Sequence, residues 1–311
     1  MTTAFLTHPD GLNHVTPPGH PERVDRLMAI YAAIDTIKDE ALVRPDAPLG
    51  QEADILLCHL QHHIDAMRDA EPESGFSSLD ADTHMSPGSF QAALRAVGAV
   101  TKAVDMVLDG EVQNAFAAMR PPGHHAETAK QMGFCFFGNL AIGARHAMER
   151  HGLSRVAIVD FDVHHGNGTQ DLLWNEPRAL FISSHQMPLW PGTGTSSERG
   201  AHDNVVNVPL APESTGAKMR QAYEGLVFPA LDAFKPELVM ISAGFDAHQS
   251  DPLANLNWVE DDFAWLTEKL CDIADAHCEG RVVSTLEGGY DLQGLSASVK
   301  AHLEVLIARG T

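Results

Sequence analysis

Cysteine is scarce: Cys58, Cys135, Cys271 and Cys278 are the four in 311 residues, and no two form a C-x-x-C pair. That spacing argues against a disulfide framework and against a cysteine-built zinc site. Basic residues are scarce as well. Lys and Arg total 21 against 42 Asp and Glu, a formal net charge of −21 with histidine neutral, so the phosphate neutralisation that drives nucleic-acid binding is missing. Long apolar runs are absent too: segments such as "GFCFF" and "LVMISAG" fall far short of the roughly 18 residues of a membrane helix. The N-terminal "MTTAFLTHPDG" shows no basic stretch followed by an apolar region, so no signal peptide is expected and a cytoplasmic protein is. What remains is a globular composition, 44% hydrophobic and 20% charged, long enough for one large α/β domain over residues 1–311. Histidine, with 18 residues, is plentiful and turns attention to nitrogen and oxygen ligands.

Short β-rich runs alternate with longer helical ones. Strands are expected over residues 3–7, 115–119, 156–161, 180–183, 205–208, 238–242 and 282–286, several of them continuous apolar runs that suit parallel strands covered on both faces. Helices are expected over 23–37, 87–108, 139–151, 218–234, 261–278 and 295–308. For the second of these Ser86 is the expected cap, Pro87 the first-turn residue and Gly110 the stop. The expected fold is a single-domain α/β parallel sheet flanked by helices on both faces. The chemically unusual segments each follow a strand: "RPPGHH", "DVHHGNGT", "HQMPLWPGTG", "AGFDAH" and "EGGYD". In open parallel sheets the carboxyl ends of the strands are where ligands bind.

In "VDFDVHHGNG", Asp160, Asp162 and His164 are spaced by two, so on an extended strand they share one face. Two carboxylates buried side by side call for a positive charge between them. Catalytic zinc takes three protein ligands and keeps a fourth position open; Asp162 and His164 supply two, and Asp246 in "SAGFDAH" is the best third. Iron(II) fits the same donors. Two ligand carboxylates neutralise a divalent ion, so separate acid–base groups are needed. His124 and His125 can face one site only from irregular backbone, which Pro121, Pro122 and Gly123 provide. Asp160 and Asn167 are candidate partners for their far nitrogens. Tyr290, after Gly288 and Gly289, can donate to an oxyanion.

With these residues assembled, the sequence resembles the histone deacetylase superfamily, which also contains acetylpolyamine amidohydrolases and acetoin-utilisation proteins, and most resembles its bacterial class II-like members. The resemblance runs from "GHPERVDRL" to "EGGYDLQGL" and rests on the ordered set "RPPGHH", "GFCFFGN", "DFDVHHGNGTQ", "PGTG", "SAGFDAHQSDPLA" and "LEGGY". It implies the arginase–deacetylase fold with a narrow tunnel leading to zinc. It implies Asp162, His164 and Asp246 as the zinc ligands, His124 and His125 as the tandem histidines paired with Asp160 and Asn167, and Tyr290 as the residue that polarises the scissile carbonyl. It further implies that the Gly133 carbonyl accepts from the substrate amide and that Phe134 and Trp190 wall the tunnel. Arg26 then stands near the channel by which acetate leaves, and Asp160 with Ser183 helps hold a structural potassium ion.

Leu253, in "SDPLANL", stands where polyamine-selective relatives tend to carry a glutamate. The expected activity is therefore zinc-dependent removal of an acyl group, acetyl foremost, from a lysine-like amine or small acylated amine. The runner-up is acetylpolyamine hydrolysis, toward which the net charge of −21 leans. A two-metal hydrolase of the arginase type and a non-catalytic binder of acylated ligands are the remaining rivals. No nucleic-acid or membrane partner is expected, and homo-oligomerisation is left open. Loops at 7–21 and 80–87, with Asp82 and His84 as rim contacts, are expected to set access.

Overall fold

The computed structural model describes residues 2–310. Its strands are β1 (Thr3–Leu6), β2 (Leu42–Val43), β3 (Ser77–Ser78), β4 (His84–Met85), β5 (Asn114–Ala117), β6 (Val156–Asp160), β7 (Ala179–Gln186), β8 (Val205–Leu210), β9 (Leu238–Ala243) and β10 (Val282–Leu286). Its helices are α1 (Asp25–Ile34), α2 (Glu52–Ile55), α3 (Gln61–Asp69), α4 (Ser89–Leu108), α5 (Asn139–Arg150), α6 (Asn167–Leu173), α7 (Gly216–Ala222), α8 (Phe228–Phe234), α9 (Glu260–Cys278) and α10 (Leu292–Arg309). Eight strands form one parallel sheet in the order β2-β1-β5-β10-β9-β6-β7-β8, and β3 and β4 make a small antiparallel hairpin.

The central strands are buried on both faces, which is why their sequences read as unbroken apolar runs. Alternation nevertheless divides them between two cores. On β6, Ala157 and Val159 join the cluster that includes Leu266, Leu270 and Val299 of α9 and α10, whereas Val156 and Ile158 join the cluster that includes Val100, Val104 and Leu140 of α4 and α5. No helix among the described residues is long and apolar enough to cross a membrane.

Four expectations need correction or refinement. Helix α4 starts at Ser89 behind Gly88, whose φ of 91° is a glycine conformation, and Ser86 does not cap it. Instead Ser86 pairs with Ser89 in a tight turn, its N–H donating to Ser89 Oγ at 2.9 Å. The expected helix over 218–234 is present without a break but changes pitch, α7 and α8 being continuous through a wider π-helical turn, Tyr223–Val227. The loop over 80–87 contains β4 and the fully buried Met85. Finally, β6 ends at Asp160, so Asp162 and His164 do not lie on a strand.

His302 of α10 is fully buried against α9 and β10, with Thr267 Oγ1 at 2.7 Å from Nδ1 and Ser284 Oγ at 2.9 Å from Nε2. The two hydroxyls satisfy a neutral ring, and burial pushes its pKa down to about 3. The unfolded ring, near 6.5, therefore takes up a proton before the folded one. Stability is complete above that value and falls as pH drops toward 3, by up to about 1.4 kcal/mol per pH unit for this one group. Urea unfolding of wild type and His302→Gln between pH 7 and 5 should show the shallower acid loss in the variant. Equal slopes would remove His302 from the account.

Candidate functional site

The loops that follow β5, β10, β9 and β6, four neighbouring strands at the centre of the sheet, bring the sequence-predicted residues together. Beyond β6 the chain turns through a staircase of side chain–backbone bonds. The Asp162 N–H donates to Asp160 Oδ1 at 3.1 Å, and the His164 N–H donates to Asp162 Oδ1 at 2.9 Å. The every-second-residue pattern thus places a carboxylate beneath each following amide, which aims all three side chains without an extended strand.

Asp162, His164 and Asp246 converge so that one ligand atom from each lies within 4.8 Å of the others. His164 Nδ1 is 3.1 Å from Asp162 Oδ1 and 3.1 Å from Asp246 Oδ2. Those separations approach the roughly 3.3 Å edge of a tetrahedron with bonds of about 2.0 Å. Asp162 and Asp246 are almost wholly buried. Burial and the neighbouring Asp162 carboxylate push Asp246 up to about 7, so ionising both acids calls for positive charge beside them. Gly288 leaves the space open: a Cβ there would come within 2.1 Å of Asp246 Oδ2 and 2.6 Å of Asp162 Oδ2. Its N–H donates to Asp162 Oδ2 at 2.8 Å. The donor set, its spacing and its charge fit a divalent zinc-type ion.

The tandem histidines stand beside this group. His124 Nδ1 is 3.0 Å from Asp160 Oδ2, and its Nε2 is 3.7 Å from Asp162 Oδ1. Burial alone would depress its pKa, but the Asp162 and Asp160 carboxylates hold it well above the ordinary value. His125 behaves oppositely: burial and then the charges of His124 and His164 hold it well below. Its Nδ1 donates to Asn167 Oδ1 at 2.8 Å. Asn167 Nδ2 donates in turn to Glu127 Oε1 at 2.8 Å, and because a carboxylate only accepts, this fixes which end of the amide faces His125. Asn167 opens α6, a short helix that no expectation covered.

A pocket of about 190 Å³ opens onto these groups, lined by Asp82, His125, Gly133, Phe134, His164, Leu189, Trp190, Leu253 and Tyr290. Gly133 and Phe134 both have positive φ, 57° and 70°. A Cβ on Gly133 would lie 2.5 Å from the His125 ring and 2.6 Å from Trp190, so only glycine lets the wall close this tightly. Phe134 packs edge-on against Tyr290 with centroids 5.9 Å apart. Trp190 and Leu253 are exposed at the rim, at 42% and 37%. Asp82 is at the pocket, as expected of a rim contact; His84 is not among its lining residues and instead packs on His20 and contacts Ser78 Oγ. Ser183 pairs with Asp160 across β6 and β7, its Oγ 3.0 Å from His185 Nδ1.

Arg26 is fully buried behind the pocket. Its Nε donates to the Gly289 carbonyl at 2.6 Å, its Nη2 to the Glu287 carbonyl at 2.5 Å, and its guanidinium lies 4.9 Å from the Tyr290 ring centroid. Several supporting residues escaped the sequence reading. Glu287 Oε2 accepts from the N–H groups of Gly123 at 2.7 Å and His124 at 3.1 Å. Asp251 accepts from the Tyr290 N–H at 2.7 Å. Glu22 is buried between Arg26 and Arg120. The signal for Glu287 was present: a carboxylate at the immediate end of an apolar strand, in "LEGGY".

Comparison with known proteins agrees with this geometry. The histone deacetylase domain model matches residues 18–306. An uncharacterised protein of Synechocystis sp. is 42% identical over 308 residues, covering 98% of this chain and 99% of its own. A probable deacetylase of Archaeoglobus fulgidus is 36% identical, with 94% and 83% covered. The crystal structure of the HDA15 HD domain superposes with a TM-score of 0.93 at 34% identity, covering 99% of this chain and 88% of that one. The eight-stranded parallel sheet is thus the arginase–deacetylase fold, and the chain belongs to the histone deacetylase family.

Proposed function

We propose that this chain acts as one catalytic domain, a zinc-dependent amidohydrolase that removes an acyl group, acetyl foremost, from a lysine-like primary amine and releases the carboxylate. The observation that carries this reading is the convergence of Asp162, His164 and Asp246, with His164 lining the same pocket as His125 and Tyr290. Asp162, His164 and Asp246 would hold the zinc, which when bound acidifies a water and polarises the acyl carbonyl. A potassium ion at Asp160 and Ser183 is part of the same proposal.

The chain's own groups have distinct tasks. His125 carries its proton on Nδ1 because Asn167 Oδ1 accepts it there, which leaves Nε2 as the lone pair that takes a proton from water. Its depressed pKa keeps it neutral and ready. His124, held cationic by Asp162 and Asp160, supplies positive charge and a proton for the departing amine. Tyr290 is kept protonated, since burial raises its pKa well above the ordinary value, and its O–H donates to the developing oxyanion. Glu287 positions His124 by gripping its backbone. The Phe134, Leu189, Trp190 and Leu253 walls exclude water and suit an alkyl stem. With Leu253 in place of a carboxylate, they offer an internal cation less attraction, which favours acyl-lysine over acetylpolyamine.

Tyr290→Phe tests the assignment. It should lower kcat on an acetyl-lysine peptide by about 10²–10³-fold, the scale for loss of one oxyanion donor, with zinc content unchanged. Undiminished turnover would sink the role. Comparing kcat/KM on that peptide, on acetylspermidine and on longer acyl-lysines then ranks the substrates.

A further inference from the structure

A second group of metal-competent side chains lies far from the pocket. Asp105 of α4, His146 of α5 and His151 just beyond it bring one ligand atom each within 4.8 Å of one another. Helix α5 ends just before β6 begins, so this group belongs to the amino ends of the strands, opposite the site described above. Asp105 Oδ1 is 2.7 Å from His146 Nε2 and 2.8 Å from His151 Nε2. On its other side His146 Nδ1 is 3.1 Å from Oδ1 of Asp54, a buried residue of α2.

The proton count makes the arrangement informative. Carboxylates only accept, and a neutral imidazole has a single N–H. His146 has a carboxylate on each nitrogen, and one oxygen of Asp105 faces two rings. If His146 donates from Nδ1 to Asp54, its Nε2 is a bare lone pair aimed at an anionic oxygen. Positive charge at that point, carried by a second ring proton or by a metal ion, resolves the conflict. A buried carboxylate on the far nitrogen is also the usual device for fixing the tautomer and raising the basicity of a metal-bound histidine.

We propose that Asp105, His146 and His151 form a second divalent-metal site that takes Zn²⁺ and pins α4 to α5. Two imidazoles and one carboxylate are a complete three-ligand zinc set, with water in the fourth position. The present separations are about 0.5 Å shorter than the roughly 3.3 Å edge of a zinc tetrahedron, so the ligands must spread. Asp105, with its side chain 37% exposed, and His151, at 18%, are free to do so. Their exposure also gives the ion a way in. The carboxylates of Asp54, 3.8 Å from the Arg150 guanidinium, of Asp105, and of Asp109, 4.0 Å from His151 Nδ1, supply negative charge for a divalent ion to meet.

The test is metal stoichiometry. Chelator-stripped protein is dialysed against Zn²⁺ and bound zinc per chain is measured by mass spectrometry, beside hydrolysis of an acetyl-lysine peptide. His151→Gln should bind one zinc fewer per chain than wild type with turnover unchanged, and Co²⁺ loading should lose one set of d–d absorption bands in the same variant. Should His151→Gln fold poorly, Asp105→Leu is read in the same way. Equal zinc content in wild type and variant would overturn the proposal and leave a histidine–carboxylate ion-pair cluster. Because the reading is a difference of one ion, it is independent of any ion held by Asp162, His164 and Asp246.

Discussion

Asp246→Ala is expected to reduce amide hydrolysis by on the order of 10³-fold or more, since a zinc-type Lewis acid contributes several kcal/mol and each decade takes about 1.4 kcal/mol. Bound zinc should fall by one ion per chain. The residue joins the cluster through both oxygens: Oδ1 accepts from the Val163 N–H at 2.9 Å, and Oδ2 is 3.1 Å from His164 Nδ1. Two readouts separate the possible causes. A variant that lost activity while keeping its zinc would show that Asp246 positions the Val163–His164 turn and does not hold the ion. A variant that kept turnover would sink the hydrolytic reading. Circular dichroism guards against simple unfolding, and Asp246→Asn, which preserves shape, should share the loss.

Glu22→Ala carries the largest expected loss of stability. The Glu22 carboxylate is wholly buried and accepts from Arg26 Nη1 at 3.0 Å, from Arg120 Nη2 at 2.6 Å and from Arg120 Nε, with His14 Nε2 at 3.4 Å. Burial would raise its pKa, yet Arg120 and His14 hold it well below the ordinary value, so it is anionic throughout the neutral range. Removing it leaves two fully buried guanidiniums without their shared partner, which costs about 3–5 kcal/mol. Urea unfolding should register that loss. Hydrolysis should fall too, because Arg26 also holds the Glu287 and Gly289 carbonyls next to Tyr290. Glu22→Gln, keeping one acceptor, should lie between. A change under about 1 kcal/mol would mean that water or the neighbouring carbonyls satisfy the two arginines, contrary to the usual penalty for a broken buried pair.

Much of the architecture was legible because long apolar strands leave an unmistakable pattern. Val282–Leu286 was expected at the bounds at which it occurs, and β6 and β9 within one residue at each end. The meeting of Asp246 with Asp162 and His164 could be anticipated because all three follow strands that a parallel sheet must align. Short elements were not legible. Helix α6 begins inside "HHGNGT", where two glycines argue against a helix locally, and β2 is two residues long and paired only at the edge. The Glu22–Arg120 pair, 98 residues apart, is a product of tertiary packing, and nothing local distinguishes that glutamate from a solvated one. His84 turns toward His20 and Ser78, a direction that its proximity in sequence to Asp82 does not give. The cap of α4 differs for a related reason: Pro87-Gly88 makes its own turn, and the turn displaces the serine.

The division between rigid strand ends and exposed rim has an evolutionary consequence. Asp162, His164, Asp246 and His125 are anchored in buried loops at the strand ends, whereas Trp190 and Leu253 are partly exposed on the loops that frame the entrance. Trp190 stands edge-on to His125 with ring centroids 4.7 Å apart and is tied to the reacting groups, whereas exchange of Leu253 perturbs little packing, so selectivity can drift there while those groups stay under unchanged constraint. Descendants of such a scaffold can diversify at the doorway alone.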